Sequence, residues 1–133
     1  MMGAPSTASR AEAARCDELA ELLGYTVVRL EQRRASKIHI GTPDRRYQGE
    51  RGCFFFELKH GSDRLSREQH AFLRRELEGG SLATCGGLPE LQALLCALQR
   101  TSLVHARNVC GGQLDAWARK GFRSERAPAK GAA

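Results

Sequence analysis

The sequence predicts one mixed α/β domain, a small mixed sheet flanked by helices. Three observations carry this reading. Apolar residues recur at i, i+3, i+4, i+7 in two places, Cys16, Leu19, Ala20, Leu23 and Leu91, Leu94, Leu95, Leu98, which is the period of an amphipathic helix. Between them Cys53-Phe54-Phe55-Phe56 is apolar at four consecutive positions, as expected of a strand covered on both faces in the middle of a sheet. The length of 133 residues allows one core and not two. The predicted order is αβββαβα.

Taken in order, Met1 to Ser9 is small, polar and proline-containing, and is expected to be disordered. The main domain runs over 10–99. Its first helix spans Arg10 to Leu23 and stops at Gly24. Tyr25 to Leu30 is β-branched and aromatic, and reads as a strand. Glu31 to Lys37 reads as an exposed basic loop, followed by a short extended piece from Lys37 to Ile40. Arg45 to Gln48 and Cys53 to Lys59 are neighbouring strands joined by the turn Gly49-Glu50-Arg51-Gly52. Ser66-Arg67-Glu68-Gln69 has the S-x-x-Q form of a capping box and opens a helix to about Glu78, with Leu65, Phe72, Leu73 and Leu77 inward. Ser81 to Cys85 is a short strand, and Pro89 is placed to be the first residue of a helix to Gln99. Residues 100–122 form an extension, strand-like at Leu103-Val104 and helical from Gln113 to Lys120. Residues 123–133 read as a disordered basic tail.

Composition narrows the function classes. Five cysteines, an odd number without a C-x-x-C pair, fit neither a disulfide framework nor a zinc site. No apolar run approaches the roughly 20 residues of a membrane span. Met1 to Ser9 lacks the layout of a signal peptide. The expected location is the cytoplasm, nucleoid-associated, or the host-cell cytoplasm for a viral protein. The net charge of +6 favours a polyanionic partner.

The chemistry concentrates between Gly41 and Gln69. Asp44 and Glu57, thirteen residues apart on adjacent strands, can converge on one hard cation, with the Leu58 carbonyl as a further ligand. Strand alternation places Phe55, Glu57 and Lys59 on one face and Phe54, Phe56 and Leu58 on the other. Lys59 can then orient or deprotonate a water attacking a phosphodiester and offset developing charge. Gln69 falls on the inner face of its helix. Glu12 falls on the apolar stripe of the first helix, either as a site carboxylate or as an acid placed to suit the helix dipole, whereas Glu18 and Glu21 face water. Arg33, Arg34, Lys37, Arg45, Arg46, Arg64 and Arg67 surround this stretch as candidate phosphate contacts.

In combination, Gly41-Thr42-Pro43-Asp44-Arg45, Phe54-Phe55-Phe56-Glu57-Leu58-Lys59, Gly61 and Leu65-Ser66-Arg67-Glu68-Gln69 resemble the VRR-NUC family of PD-(D/E)XK nucleases, over about residues 10 to 99. The resemblance implies a restriction-endonuclease-like core and Mg²⁺ or Mn²⁺ held by Asp44, Glu57 and the Leu58 carbonyl. It also implies Lys59 at the nucleophilic water, Gln69 as the active-site glutamine, and Glu12 as the first-helix glutamate beside the metal. It further implies a homodimer that cuts branched DNA such as four-way junctions. A nonspecific or restriction-type DNase and a catalytically silent DNA-binding protein are the alternatives. Residues 100 to 133 have no counterpart in that module.

Overall fold

The structure is a computed structural model that describes residues 7–30, 41–100 and 102–123. The expected basic loop with Arg33, Arg34 and Lys37, the extended piece ending at Ile40, residues 1–6 and the tail from 124 lie outside the described residues. The elements are α1 (Thr7–Leu22), β1 (Thr26–Arg29), β2 (Arg45–Gly49), β3 (Gly52–Leu58), α2 (Arg67–Glu78), β4 (Leu82–Gly86), α3 (Leu88–Arg100) and α4 (Leu103–Arg119). They form a mixed α/β fold with a four-stranded sheet in the order β1-β2-β3-β4. The first three strands are antiparallel, and β4 runs parallel to β3 after the α2 crossover.

Helix α1 begins at Thr7, so residues 7–9, expected to be disordered, are helical. The alanines that follow, Ala8, Ala11, Ala13 and Ala14, favour helix more strongly than the small polar residues before them oppose it. Cys16 and Ala20 of its inner stripe are fully buried. Leu23 falls in the turn past the helix end and is 42% exposed, so it is not the core residue that the spacing implied.

The hairpin forms at the predicted turn. Gly49 pairs with Gly52 around the tip Glu50-Arg51, and Arg45 pairs with Phe56. Strand β3 lies between β2 and β4, and its side chains alternate as expected. Phe54 and Phe56 are fully buried on one face, against Tyr25 and Tyr47, with ring centroids 5.3–5.9 Å apart. Phe55 points to the other face and meets Phe72 of α2 edge-on at 5.4 Å. Burying a phenylalanine side chain stabilises by roughly 1.5–3 kcal/mol, so this aromatic layer carries much of the core. Strand β4 lies at the end of the sheet but is buried along its length, because α2, α3 and α4 pack against it. The Thr84 hydroxyl donates to Gln113 Oε1 of α4 at 2.6 Å, so the covered strand leaves no orphan hydroxyl there.

Helix α4 corrects the reading of the extension. Leu103-Val104 is not a strand, and the helix expected from Gln113 begins ten residues earlier. Ala106, Cys110, Leu114 and Trp117 form its buried face at helical spacing. Gly111-Gly112 interrupts the apolar pattern in the sequence, while Leu103 and Val104 are 58% and 67% exposed and belong to no inner face. All five cysteines are free thiols, and burial pushes those of Cys16 and Cys110 up to about 12. No helix among the described residues is long and apolar enough to cross a membrane.

One buried charge pair ties α1 to the hairpin. Asp17, 6% exposed, accepts Arg45 Nε at 3.1 Å through Oδ1 and Arg45 Nη2 at 3.1 Å through Oδ2. It also accepts the Tyr47 hydroxyl at 2.8 Å. Burial, and then the Asp17 charge, raise the Tyr47 phenol well above its ordinary value, so it stays a donor. Arg45 was expected to face phosphate; at 4% exposure with a forked bond to Asp17, it is a core residue. Removing one partner of such a pair strands the other charge. Asp17→Ala is therefore expected to cost about 3–5 kcal/mol in urea unfolding, and a loss below about 1 kcal/mol, the level of a surface pair, would show that the pair contributes little.

Candidate active site

The hairpin register builds the site. One step beyond the Arg45–Phe56 pair, Asp44 stands opposite Glu57. There side chains replace the ladder: the Asp44 amide donates to Glu57 Oε1 at 3.0 Å, and the Leu58 amide donates to Asp44 Oδ2 at 3.1 Å. Each carboxylate thus receives a backbone amide from the other's strand, which fixes both. The motif glycine is also required. Gly41 has φ +84°, and a Cβ there would lie 2.6 Å from the Glu68 carbonyl oxygen, so the chain passes directly over the first turn of α2 on its way to Asp44.

Helix α2 supplies the other half. Ser66 is its N-cap and both bonds of the predicted capping box are present: the Gln69 amide donates to Ser66 Oγ at 3.0 Å, and the Ser66 amide donates to Gln69 Oε1 at 2.9 Å. Gln69 Nε2 then donates to Glu57 Oε2 at 2.8 Å. The two ends of one amide therefore serve the cap and the carboxylate together, and a flipped amide would lose both bonds. Lys59 Nζ lies 3.5 Å from the same Glu57 oxygen. Glu57 and Lys59 are 3% and 7% exposed, and such burial is tolerated only for paired charges. Asp44, Glu57, Lys59 and Gln69 thus form one hydrogen-bonded and ion-paired group at the end of β3.

Glu12 goes elsewhere. Its Oε1 meets His60 Nδ1 at 2.6 Å, and its Oε2 accepts the Leu88 amide at 2.6 Å, at the start of α3. It lines a small cavity with Leu58, Lys59, His60 and Asp63. Burial alone would raise the Glu12 pKa, but the Leu88 amide, His60 and Arg15 outweigh it, and the net shift is below the ordinary 4.5. Nothing in the spacing of His60 relates it to Glu12, 48 residues earlier.

The candidate phosphate contacts divide. The Arg46 guanidinium lies over the Phe55 ring at 4.7 Å, on the sheet face that carries Glu57. Arg64 and Arg67 turn instead to the C-terminal segment: Arg64 Nη1 donates to the Lys120 carbonyl at 2.6 Å, and Arg67 lies over the Phe122 ring at 5.0 Å.

The pair itself offers carboxylate oxygens, which suit a hard cation rather than zinc. Among the described residues no three His, Cys, Asp or Glu side chains gather to hold a metal. A cation at this point would rest on the two carboxylates and backbone oxygen, a set that Mg²⁺ accepts because it retains water. Compared with known proteins, the chain matches no family model, no curated protein and no solved structure.

Glu12 generates a pH prediction. A carboxylate with a depressed folded pKa contributes stability that is complete above the unfolded value of 4.5 and is lost as the pH falls through the folded one. Thermal melts between pH 6 and pH 3 should therefore show a shallower acid loss in Glu12→Gln than in the wild type, and parallel curves would refute the role of the Leu88 and His60 contacts.

Proposed function

We propose that the protein is a divalent-metal-dependent endonuclease that hydrolyses DNA phosphodiester bonds, selective for branched DNA such as four-way junctions. The observation that carries this reading is the joining of Asp44, Glu57, Lys59 and Gln69 into one group at the end of β3. The motif resemblance to VRR-NUC nucleases supports it, and in this reading the elements α1 to α3 correspond to a restriction-endonuclease-like core. The basic balance of the chain agrees with a polyanionic substrate.

Mg²⁺ or Mn²⁺ would be held by Asp44, Glu57 and the Leu58 carbonyl, and when bound it supplies Lewis-acid neutralisation of the phosphoryl charge. The chain's own groups do the rest. Gln69 holds the Glu57 carboxylate in one orientation, so no reorganisation is needed when substrate arrives. Lys59 presents an ammonium at that carboxylate, where it orients the attacking water and offsets charge developing on phosphorus. Arg46, on the same face, contacts the backbone of the bound strand without reading its sequence. Glu12 and Arg45 take no part, being committed to His60 and Leu88 and to Asp17.

Purified protein is tested on a labelled four-way junction and the matching linear duplex with Mg²⁺, Mn²⁺ or EDTA. Cutting is expected with either metal, faster on the junction, and absent in EDTA. Glu57→Ala and Lys59→Ala should each lower the rate roughly 100-fold or more, and variants that cut as fast as the wild type would refute the site. Gln69→Ala should lose activity and also about 1 kcal/mol of stability through the broken cap; a variant that melts lower yet cuts normally would reduce Gln69 to a cap.

A further inference from the structure

The C-terminal extension ends in a strap over the first turn of α2. Helix α4 stops at its C-cap Lys120, and Gly121 adopts φ +94°. A side chain would be strained there and would crowd Arg64, so the reversal depends on this glycine. The chain then runs back along the loop that opens α2. Lys120 Nζ donates to the Gly61 carbonyl at 3.3 Å, and the Arg123 amide donates to the Leu65 carbonyl at 2.7 Å. Between these bonds Phe122 lies under the Arg67 guanidinium and against the His70 ring, whose centroid is 5.3 Å away. Among the described residues the buried His70 Nε2 has no hydrogen-bond partner, and this histidine serves as a packing surface for Phe122.

These contacts fall around one helical turn. Leu65, Arg67 and His70 bracket Ser66 and Gln69, whose side chain reaches Glu57 at 2.8 Å. Phe122 itself is only partly buried and packs at the edge of the core, whereas Trp117 and Leu114 within α4 carry the burial of that helix. The strap therefore contributes little to the core and much to the placement of one turn.

We infer that Phe122 is a positioning residue for the reaction proposed above: by clamping the first turn of α2 it holds the Gln69 amide on Glu57. The inference rests on the nuclease reading for its catalytic consequence, but not for its structural one. A displaced Gln69 leaves Glu57 free to turn, and small displacements at a reacting centre cost rate rather than substrate binding.

The test compares the wild type, Phe122→Ala and Phe122→Tyr in steady-state cleavage of the junction, in amide hydrogen exchange and in melting. Phe122→Ala should lower kcat about tenfold with KM within about twofold. The amides of Gln69 and His70 should exchange faster while those of α3 are unchanged, and Phe122→Tyr, which keeps the ring, should restore both. With an active wild type, an unchanged kcat in Phe122→Ala overturns the inference, as does a fall in kcat matched by general loss of protection across α3. A wild type that cuts none of the DNAs sinks the nuclease reading instead. In that case exchange at Gln69 and His70 still decides whether the strap clamps this turn, and no change there overturns it.

Discussion

A carboxylate that is 3% exposed must have its charge answered by its neighbours, and Glu57 meets that demand from several directions. Its partners come from the Asp44 amide of the neighbouring strand, the Gln69 amide of α2 and the Lys59 ammonium two residues on, while Asp44 in turn holds the Leu58 amide. The hairpin register, the approach of α2 and the end of β3 are thereby set relative to one another by a single side chain. Desolvating an anion costs several kcal/mol unless such bonds offset it. The site is for that reason one of the most constrained places in the fold as well as its candidate chemistry.

Strand β3 separates two kinds of surroundings by alternation alone. One face carries Phe54 and Phe56 into the aromatic layer with Tyr25 and Tyr47, and beneath it Asp17 binds Arg45 and Tyr47 to lock α1 onto the hairpin. The other face carries Phe55, Glu57 and then Lys59 toward α2. A slip of one residue in register would exchange the two sets, burying a charge in the aromatic layer and leaving phenylalanines at the site. Arg45 and Arg46 illustrate the same rule: adjacent in the chain, they end on opposite faces, one forked onto Asp17 and the other laid over Phe55.

Around the site, several groups that look alike in a sequence are used differently. Glu12 anchors α1 to the start of α3 and to His60, holding the segment just past Lys59. Arg64 and Arg67 hold the strap that follows α4. The extension from residue 102 thus packs on β4 through Gln113 and returns to the opening of α2 through Phe122. It belongs to the same folded unit as the rest.

Local chemistry alone defined a large part of this protein. The hairpin around Gly49–Gly52, the alternation along β3, the cap at Ser66 and the helices with unbroken leucine spacing all follow from interactions within a few residues. So does the nearness of Asp44 to Glu57, since a tight turn leaves two strands only one register. Placement of groups distant in the chain was settled by packing. Alternation puts Arg45 and Arg46 on opposite faces, but the charge that buries Arg45 arrives with Asp17 from α1, and nothing near Glu12 foretells His60 or the amide of Leu88. The Gly111-Gly112 pair hid a helix whose buried face exists because β4, α3 and α2 are there to receive it. A charge or a glycine carries no address in its own neighbourhood; its partner is chosen by which surfaces the core brings together.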